Sequence, residues 1–417
     1  MKYASQIYII RELARELLEI TNLPQFKQKK QKWADHNELK GNVEPLIWIC
    51  PDDDGGWKEL IPPLEIKTED PELRELEFKI RQLIYHYNNF DDDFVIEPVI
   101  RFNMPGEYTG YLYGDSKQTS AWGIEIYGKA ISTQAYHLDN YIDNPCNVEK
   151  LLNHEVDFVP DIQELSRLKQ KYEDALNGII EVQLNIPYSV LVQSSLIELV
   201  HLRGMTELMY DLYDNGDMIN EIMDHMSSSK SRLLDKLESE KLLFNNQTNL
   251  YTGSGGLGYT NCKLDKDNIK ISDLWGFADS QEFSNVSPKM FEEYALRYQK
   301  RGLNKFGYAC YGCCEALDDK FDLIFKEIPK IRRLSVSPWS NIHIAAEKIG
   351  KKAIYSWKPN PIITTGFNKD EIAIKLKEVA QATKNCTTEI ILKDIRTCSN
   401  TPKHIQQFLD ITKRIFK

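Results

Sequence analysis

Apolar and polar residues alternate along this chain with two different periods. Residues 1–23 place apolar side chains at helical spacing with charged residues between them, which predicts an amphipathic helix. Residues 71–88 show the same spacing and begin with Pro71, a favourable first residue of a helix. The compact apolar run at 94–102 predicts the first buried strand of a larger domain. We therefore predict a mainly helical N-terminal extension over residues 1–90 and a second domain over residues 91–417.

The second half of the chain alternates strand-like and helical segments with a repeat of about 25–35 residues, as parallel strands joined by right-handed crossovers do. The strand-like segments are Asn249–Thr252, Asp273–Asp279, Phe306–Cys310, Arg332–Ser337, Lys352–Trp357 and Thr388–Ile395. With further strands predicted at 94–102 and 181–187, they indicate an α/β fold, a (β/α)8 TIM-type barrel. A doubly wound open sheet is the alternative, because the number of strands does not decide whether a sheet closes.

Charge and composition narrow the class of protein. The chain has 417 residues, with 62 acidic and 52 basic side chains and a formal charge of −10. This acidic balance without a basic block argues against nucleic-acid binding, which depends on Lys and Arg contacts to phosphate. Apolar runs all fall short of the ~20 residues that cross a bilayer, and charges interrupt the first helix, unlike a signal peptide. We expect a cytoplasmic protein with no membrane partner and with reduced cysteines.

Polar residues follow the predicted strands, where barrel enzymes carry their reactive groups. We therefore expect side chains from distant parts of the sequence to converge at one mouth. The residues concerned are Asp279, Gln281, Glu282, Cys310, Cys313, Cys314, Glu315, Trp339, Lys358, Asn360, Lys393, Asp394, Arg396 and Cys398. By contrast, the acidic run 91–93 is predicted to be a solvated turn.

Three of the eight cysteines, Cys310, Cys313 and Cys314, fall within five residues and admit three interpretations. Thiolates with the neighbouring Glu315 would suit zinc. Cys310 and Cys313 also form a C-x-x-C pair between a strand and a helix, a position suited to dithiol redox chemistry. Alternatively, the cysteines are small buried apolar residues. The Gly-rich stretch 252–259 lacks the Gly-Lys-Ser/Thr ending of a phosphate loop and predicts a tight turn.

Several short motifs occur in a fixed order, and on them the chain from about residue 90 resembles the uroporphyrinogen decarboxylase superfamily. The motifs are Leu202-Arg-Gly204, Tyr251-Thr-Gly-Ser-Gly-Gly256, Trp275–Gln281, Tyr311–Glu315, Ser335–Trp339, Ser356–Pro361 and Leu392–Asp394. They resemble an uncharacterised bacterial branch nearer to the corrinoid-dependent methyltransferases than to the haem-pathway decarboxylase. The resemblance implies a (β/α)8 barrel.

The resemblance also implies roles for individual residues. The decarboxylase grips its substrate with an arginine-rich loop, whereas this chain offers only Arg101 beside Glu97, too little positive charge for an octacarboxylate. The methyltransferases bind zinc through a His-x-Cys pair and a later cysteine. Here Tyr311-Gly-Cys313 stands at the first position with Cys314 next to it, and Cys398 is the candidate late ligand. Zinc ligation by Cys313, Cys314 and Cys398 is thus implied.

The implied activity is a zinc-dependent transfer of a methyl group between a corrinoid, such as methylcobalamin on a partner protein, and a small thiol or methylated substrate. Two alternatives stay open: a metal-independent decarboxylase or lyase acting on a small carboxylic acid, and a non-catalytic corrinoid- or tetrapyrrole-binding protein. The oligomeric state is open, with a dimer among the candidates. The expected catalytic residues are Glu315, Lys358 and Asp394, and the expected substrate-binding residues are Gln281, Glu282, Trp339 and Arg101.

Overall fold

The computed structural model describes residues 3–40, 44–112, 118–126, 130–132, 135–136 and 140–416. The strands are β1 Leu46–Pro51, β2 Val99–Asn103, β3 Gly106–Tyr108, β4 Ser120–Ala121, β5 Ile124–Glu125, β6 Ala130–Ser132, β7 Ala135–Tyr136, β8 Phe158–Pro160, β9 Glu181–Asn185, β10 Trp275–Ala278, β11 Tyr308–Tyr311, β12 Ile331–Val336, β13 Ile354–Trp357 and β14 Thr387–Ile395. The helices are α1 Tyr3–Thr21, α2 Pro24–Asn37, α3 Gly56–Leu60, α4 Pro71–Asn89, α5 Pro145–Leu152, α6 Ile162–Leu176, α7 Tyr188–Leu191, α8 Ser195–Arg203, α9 Met205–Asp214, α10 Gly216–Ser239, α11 Pro288–Phe291, α12 Arg297–Leu303, α13 Phe321–Glu327, α14 Ile342–Ile349, α15 Lys369–Ala382 and α16 Lys403–Phe416.

A curled, parallel six-stranded sheet organises the second half of the chain, and the molecule is an α/β protein as predicted. The strand order is β1-β14-β13-β12-β11-β10, and each neighbouring pair is parallel. From β10 to β14 the strands follow the chain in order, with helices in the connections. Parallel strands buried on both faces read as continuous apolar runs, which explains why the sequence pattern predicts them well.

The first strand of this sheet comes from the N-terminal ninety residues, where we predicted helices. Strand β1 pairs along its length with β14, the last strand of the sheet. On the other side of β1, the Asp93 carboxylate accepts a hydrogen bond from Ile47 N (2.9 Å) and the Asp92 carboxylate one from Ile49 N (2.8 Å). Both aspartates are buried. Our interpretation of 91–93 as a solvated turn was therefore wrong for Asp92 and Asp93, whose carboxylates satisfy backbone N–H groups that would otherwise lack partners, whereas Asp91 is exposed.

A second parallel pair, β2 with β9, lies outside the six-stranded sheet in the described part of the chain. The segment after β9 reaches β10 through a bridge between Val192 and Phe277 and a hydrogen bond from Gln193 N to Phe277 O (2.8 Å). These contacts bring the two sheets together at one point, but the described pairings do not make up a complete eight-stranded barrel. None of the helices in the described residues combines the length and the hydrophobicity that a membrane-spanning helix needs.

The two predicted N-terminal helices are confirmed as α1 and α4, whereas α2 was not predicted from the sequence. The three helices share a core with strands of the second half, including Trp33 and Ile10 on the helices and Ile391 of β14. Helix α1 is amphipathic, as predicted, and buries one side-chain face. A domain boundary at residue 90 stays a prediction, since the shared core and the pairing of β1 with β14 link the two parts closely.

Asn37, at the end of α2, links this helix to the rest of the molecule through side-chain hydrogen bonds. Its amide donates hydrogen bonds to Leu257 O (2.8 Å) and Tyr259 O (2.7 Å), and its Oδ1 accepts one from Arg333 (2.8 Å). We expect Asn37→Ala to lower the free energy of unfolding by about 2–3 kcal/mol, because buried groups lose their partners. Gln31→Ala changes an exposed amide of the same helix and should shift it by less than about 0.5 kcal/mol. Denaturant titrations of both variants measure the difference, and equal effects would contradict this role.

Candidate functional site

The carboxyl ends of β10 to β14 lie at one edge of the sheet because the strands are parallel. Several of the residues predicted to converge do so here. After β11, Gly312 has a φ of +88°, a conformation that favours glycine, and the chain turns sharply into Cys313, Cys314 and Glu315. A Cβ at position 312 would also lie 2.6 Å from Leu317 Cδ1. This turn therefore sets where the two cysteines stand.

Cys313 and Cys314, the thiol pair, lie with their Sγ atoms 3.6 Å apart. The backbone of Cys313 is held on both sides: its N–H donates to Glu315 Oε2 (2.8 Å), and its carbonyl accepts from Ser335 Oγ (2.8 Å). Lys393, from β14, places its Nζ 3.7 Å from Cys313 Sγ. Two thiols from the turn after β11 thus meet a cation from β14, and a hydroxyl from β12 holds their backbone.

Electrostatics make one thiol of the pair the easier to ionise. The hydrogen bond from Cys313 lowers the pKa of Cys314 to about 7, although partial burial opposes this. The same bond, together with burial, raises the pKa of Cys313. Burial disfavours the Lys393 cation, but Tyr251, Cys313 and Asp394 outweigh it and raise its pKa, so Lys393 is charged. Near neutral pH a substantial fraction of the pair therefore carries a thiolate on Cys314.

Three carboxyl groups, Asp279, Glu282 and Glu315, form a carboxyl cluster beside the thiol pair. Burial raises the pKa of Glu315 to about 7, and Asp279 adds to the rise. Burial and Asp279 likewise raise the pKa of Glu282 to about 8, and burial raises that of Asp279. Glu315 also accepts Ser280 N (2.8 Å), and Gln281 donates to Asp279 Oδ2 (2.7 Å). The cluster can hold and exchange protons near neutral pH.

We expect Glu282→Gln to flatten the pH dependence of stability. In the unfolded chain a glutamate ionises near pH ~4.3, whereas the folded pKa of Glu282 is about 8. The penalty for burying this carboxyl therefore grows as the pH rises from ~4.3 and is complete above the folded pKa. At pH ~9 the variant should exceed the wild type by roughly 2 kcal/mol in free energy of unfolding, with no gain at pH ~4.

Denaturant titrations at several pH values measure this effect, with Glu347→Gln, at an exposed glutamate, as the control. A gain for Glu282→Gln that is equal at low and high pH would contradict the assignment. Glu282 Oε2 is buried without a hydrogen-bond partner among the described residues, which supports a neutral carboxyl.

Lys358, which follows β13, connects the carboxyl edge of the sheet with a buried network of charged side chains. Its Nζ donates to Ser356 O (3.2 Å) and also to Ser356 Oγ, which in turn donates to Glu389. Glu389 Oε1 lies 2.9 Å from Arg333 Nε, and its Oε2 lies 3.2 Å from His36 Nε2. We refer to His36, Arg333, Ser356, Lys358 and Glu389 as the Glu389 network.

The environment of the network shifts the pKa values of Lys358 and Glu389. Burial lowers the pKa of Lys358 to about 7, although Glu389 opposes the shift. Burial alone would raise the pKa of Glu389, but Arg333, His36 and Lys358 hold it at about 2. Neither Arg333 nor Glu389 was among the site residues predicted from the sequence. Charged residues inside the buried strands β12 and β14 are the signal that could have identified them.

Three of the predicted site residues make no hydrogen bond to the thiol pair in the described part of the chain. Arg101 donates to Gln183 (3.0 Å), Asn249 (2.6 Å) and Glu97 (2.8 Å). It lines a separate groove of about 700 Å³ along β9. The side chain of Trp339 is 72% exposed, and its expected role as an apolar wall for the substrate stays a prediction.

Cys398, the third of these residues, is buried and donates to Glu59 Oε2 (3.1 Å). Asp394, by contrast, lies at the mouth, where its carboxylate is 2.8 Å from Lys393 Nζ. The structure thus brings together four of the predicted residues, Cys313, Cys314, Glu315 and Asp394. Gln281 and Glu282 lie nearby, and Lys358 follows the end of β13.

The residues at this mouth do not fit zinc in the form implied by the sequence. Zinc sites in proteins use three or four protein ligands. Among the described residues, no group of three or more His, Cys, Asp or Glu is placed to hold a metal ion. The thiol pair supplies two sulfur atoms, but the Lys393 cation lies against Cys313 and Cys398 is engaged by Glu59.

The fold and the site define an α/β protein with a curled parallel sheet whose carboxyl edge carries thiols, carboxyl groups and lysines. Searches against protein-family models and against curated proteins find no match. Among solved structures, the chain is similar to a methyltransferase from Methanosarcina mazei, with 9% sequence identity and a TM-score of 0.50. The match covers 93% of this chain and 99% of that one. At this identity the likeness shows a shared fold.

Proposed function

We propose that this protein is a methyltransferase that moves a methyl group between a corrinoid and a small thiol, with the thiol pair and Lys393 at its reaction centre. The single observation that carries the proposal is the thiol pair, 3.6 Å between sulfur atoms, beside a buried lysine at the carboxyl edge of the sheet. The methyltransferase of the same fold supports it. As part of the proposal, the six-stranded sheet and the β2–β9 pair belong to one (β/α)8 barrel.

The chain's own groups suit the activation of a thiol. Cys314 Sγ, as a thiolate, accepts the proton of the substrate thiol, and the Lys393 cation stabilises the substrate thiolate that forms. An electron pair of that sulfur then forms the new sulfur–carbon bond. The pair of the broken cobalt–carbon bond stays on the corrinoid, so atoms and electrons balance. Glu315 fixes the backbone of Cys313, and Asp394 orients Lys393.

The corrinoid is a substrate in this proposal, presented by a partner protein. Zinc binding stays a separate prediction. It can be tested by metal analysis of the protein purified without added metal. Stoichiometric zinc that is lost in a Cys313→Ser/Cys314→Ser variant would establish a metal role for the thiol pair. No step above depends on that outcome, because each uses only side chains in the described residues.

Methylcobalamin provides a direct assay of the reaction. We expect the wild-type protein to consume methylcobalamin in the presence of a small thiol and to form one methyl thioether for each cobalt–carbon bond broken. Absorbance reports the corrinoid and mass spectrometry reports the thioether, with heat-denatured protein as the control. No consumption above the control across a panel of neutral, anionic and cationic thiols would contradict the proposal.

One observation favours a second candidate, a decarboxylase or lyase that acts on a small carboxylic acid. Lys358 is 3% exposed, and its pKa of about 7 leaves much of the amine unprotonated at neutral pH. A neutral buried amine can attack a carbonyl group. Release of carbon dioxide from small oxo acids, lost in Lys358→Met, would favour this candidate, and formation of a methyl thioether would favour the first.

A further inference from the structure

The distance between the two sulfur atoms of the thiol pair is relevant to a chemistry other than methyl transfer. Vicinal thiols can close a disulfide only when their sulfur atoms approach each other on one side of the chain. Here the two Sγ atoms lie 3.6 Å apart, whereas a disulfide bond is about 2.05 Å long. Consecutive Cα atoms are only about 3.8 Å apart, below the roughly 4.4–6.8 Å that is usual for a disulfide, so closing the bond also requires the backbone between the two residues to shift. The strain makes such a disulfide easy to reduce, as an exchange site requires. All eight cysteines are free thiols in this structure.

The two thiols differ in access, which gives them different roles. Cys314 is exposed, whereas Cys313 is partly buried and packs against the buried cluster of Val192, Trp275, Phe277 and Cys310. A reagent from solvent thus meets Cys314 first. Cys313 is held by hydrogen bonds on both its N–H and its carbonyl, and Lys393 lies against its sulfur. While Cys314 is free, Cys313 keeps its proton in the hydrogen bond to Cys314. Once Cys314 is part of a mixed disulfide this hydrogen bond is lost, and the Lys393 cation favours the Cys313 thiolate, the form that attacks a disulfide.

We propose that the thiol pair is a thiol–disulfide exchange site for small-molecule disulfides, in which Cys314 is modified first and Cys313 resolves the adduct. The Cys314 thiolate attacks one sulfur of the reagent, forms a mixed disulfide and releases one thiolate of the reagent. The Cys313 thiolate then attacks Cys314 Sγ and releases the second. Two protein thiols lose two protons and two electrons, and the reagent disulfide becomes two thiols, so the exchange balances.

This site differs from the C-x-x-C pair that the sequence suggested. Cys310 is buried, and its sulfur accepts from Arg333 (3.7 Å) inside the sheet. A second thiol or a disulfide reagent would have to pass through the core of the protein to reach the Cys310 sulfur. The sulfur of the adjacent residue, Cys314, lies 3.6 Å from that of Cys313, and Cys314 is exposed. The structure therefore assigns the reactive pair to positions 313 and 314.

Dithiodipyridine tests the proposal without any assay of methyl transfer. The reduced full-length chain carries Cys146→Ser and Cys262→Ser, which remove the two other exposed thiols. We expect the peptide that contains residues 313 and 314 to lose two hydrogens and to carry no pyridyl group, with two thiopyridones released. Cys313→Ser in the same background should release one and keep a pyridyl adduct on Cys314. Cys386→Ser, at a half-buried thiol elsewhere, should behave like the parent.

Lys393→Met should slow the second step by at least about fivefold, so that the mixed disulfide on Cys314 accumulates, and Lys393→Arg should restore most of the rate. A stable pyridyl adduct on Cys314 while Cys313 is present would overturn the proposal. Absence of any reaction at the pair would overturn it as well. Since the readouts are mass and thiopyridone release, failure here leaves the assay of methyl transfer to decide the proposed function independently.

Discussion

Replacing Cys314 by serine is expected to lower kcat/KM for methyl transfer by about 100-fold or more. In our account the Cys314 thiolate takes the proton of the substrate thiol, and loss of a general base typically reduces a rate by about 10²–10⁴-fold. The hydrogen bond from Cys313 lowers the pKa of Cys314 to about 7, whereas a serine hydroxyl stays protonated at this pH. Initial rates of methyl thioether formation give the measurement.

The matched control is Cys262→Ser, which removes another exposed thiol, in a loop remote from β11 in the sequence. It should retain the wild-type rate. Both variants should unfold at the same denaturant concentration as the wild type, because neither thiol is fully buried. A Cys314→Ser variant that keeps most of its activity would remove this residue from the mechanism.

Replacing Glu389 by glutamine is expected to lower the free energy of unfolding by about 3–5 kcal/mol, because it leaves buried cations without their counter-ion. Arg333, His36 and Ser356 all contact this carboxylate, and Glu389 itself is fully buried. Asp322→Asn, which breaks the exposed ion pair with Lys348, should change stability by no more than about 1 kcal/mol. Denaturant unfolding at pH ~7 compares the two.

The same residue predicts an acid dependence. The folded pKa of Glu389 is about 2 and the unfolded value is ~4.3. Its contribution to the free energy of unfolding is therefore complete above pH ~4.3. It is lost as the pH falls through the folded pKa. The difference in stability between wild type and Glu389→Gln should therefore shrink below pH ~4. A difference that stays constant down to pH ~2 would contradict this electrostatic explanation.

The sheet was largely predictable from the sequence, and the part that was not has a physical reason. Strands β10 to β14 are buried on both faces and bounded by turns, so their apolar runs stand out. Strand β1 looks the same locally, but its partner β14 lies more than 300 residues away. Pairing at such a distance leaves no local signal. Asp92 and Asp93 were misread for the same reason, because the amides that they bind belong to β1.

The candidate site was predictable at the level of the strand ends. The rule that parallel strands bring their carboxyl ends together correctly gathers Cys313, Cys314, Glu315 and Asp394. The rule does not predict which side chains point towards this edge of the sheet. Cys398 follows β14, yet its side chain turns to Glu59. The Glu389 network depends on tertiary contacts between α2, β12, β13 and β14, which no local pattern encodes.

The rate of alkylation of Cys314 by iodoacetamide, with and without saturating methylcobalamin, tests the central claim most directly. Peptide mass spectrometry follows Cys314 together with Cys146 and Cys262, which are also exposed and serve as internal controls. If methyl transfer takes place at the thiol pair, methylcobalamin should slow alkylation of Cys314 at least about tenfold, since the bound corrinoid covers the mouth. The two controls should react at unchanged rates. Equal alkylation of Cys314 in the presence and absence of methylcobalamin would contradict the account.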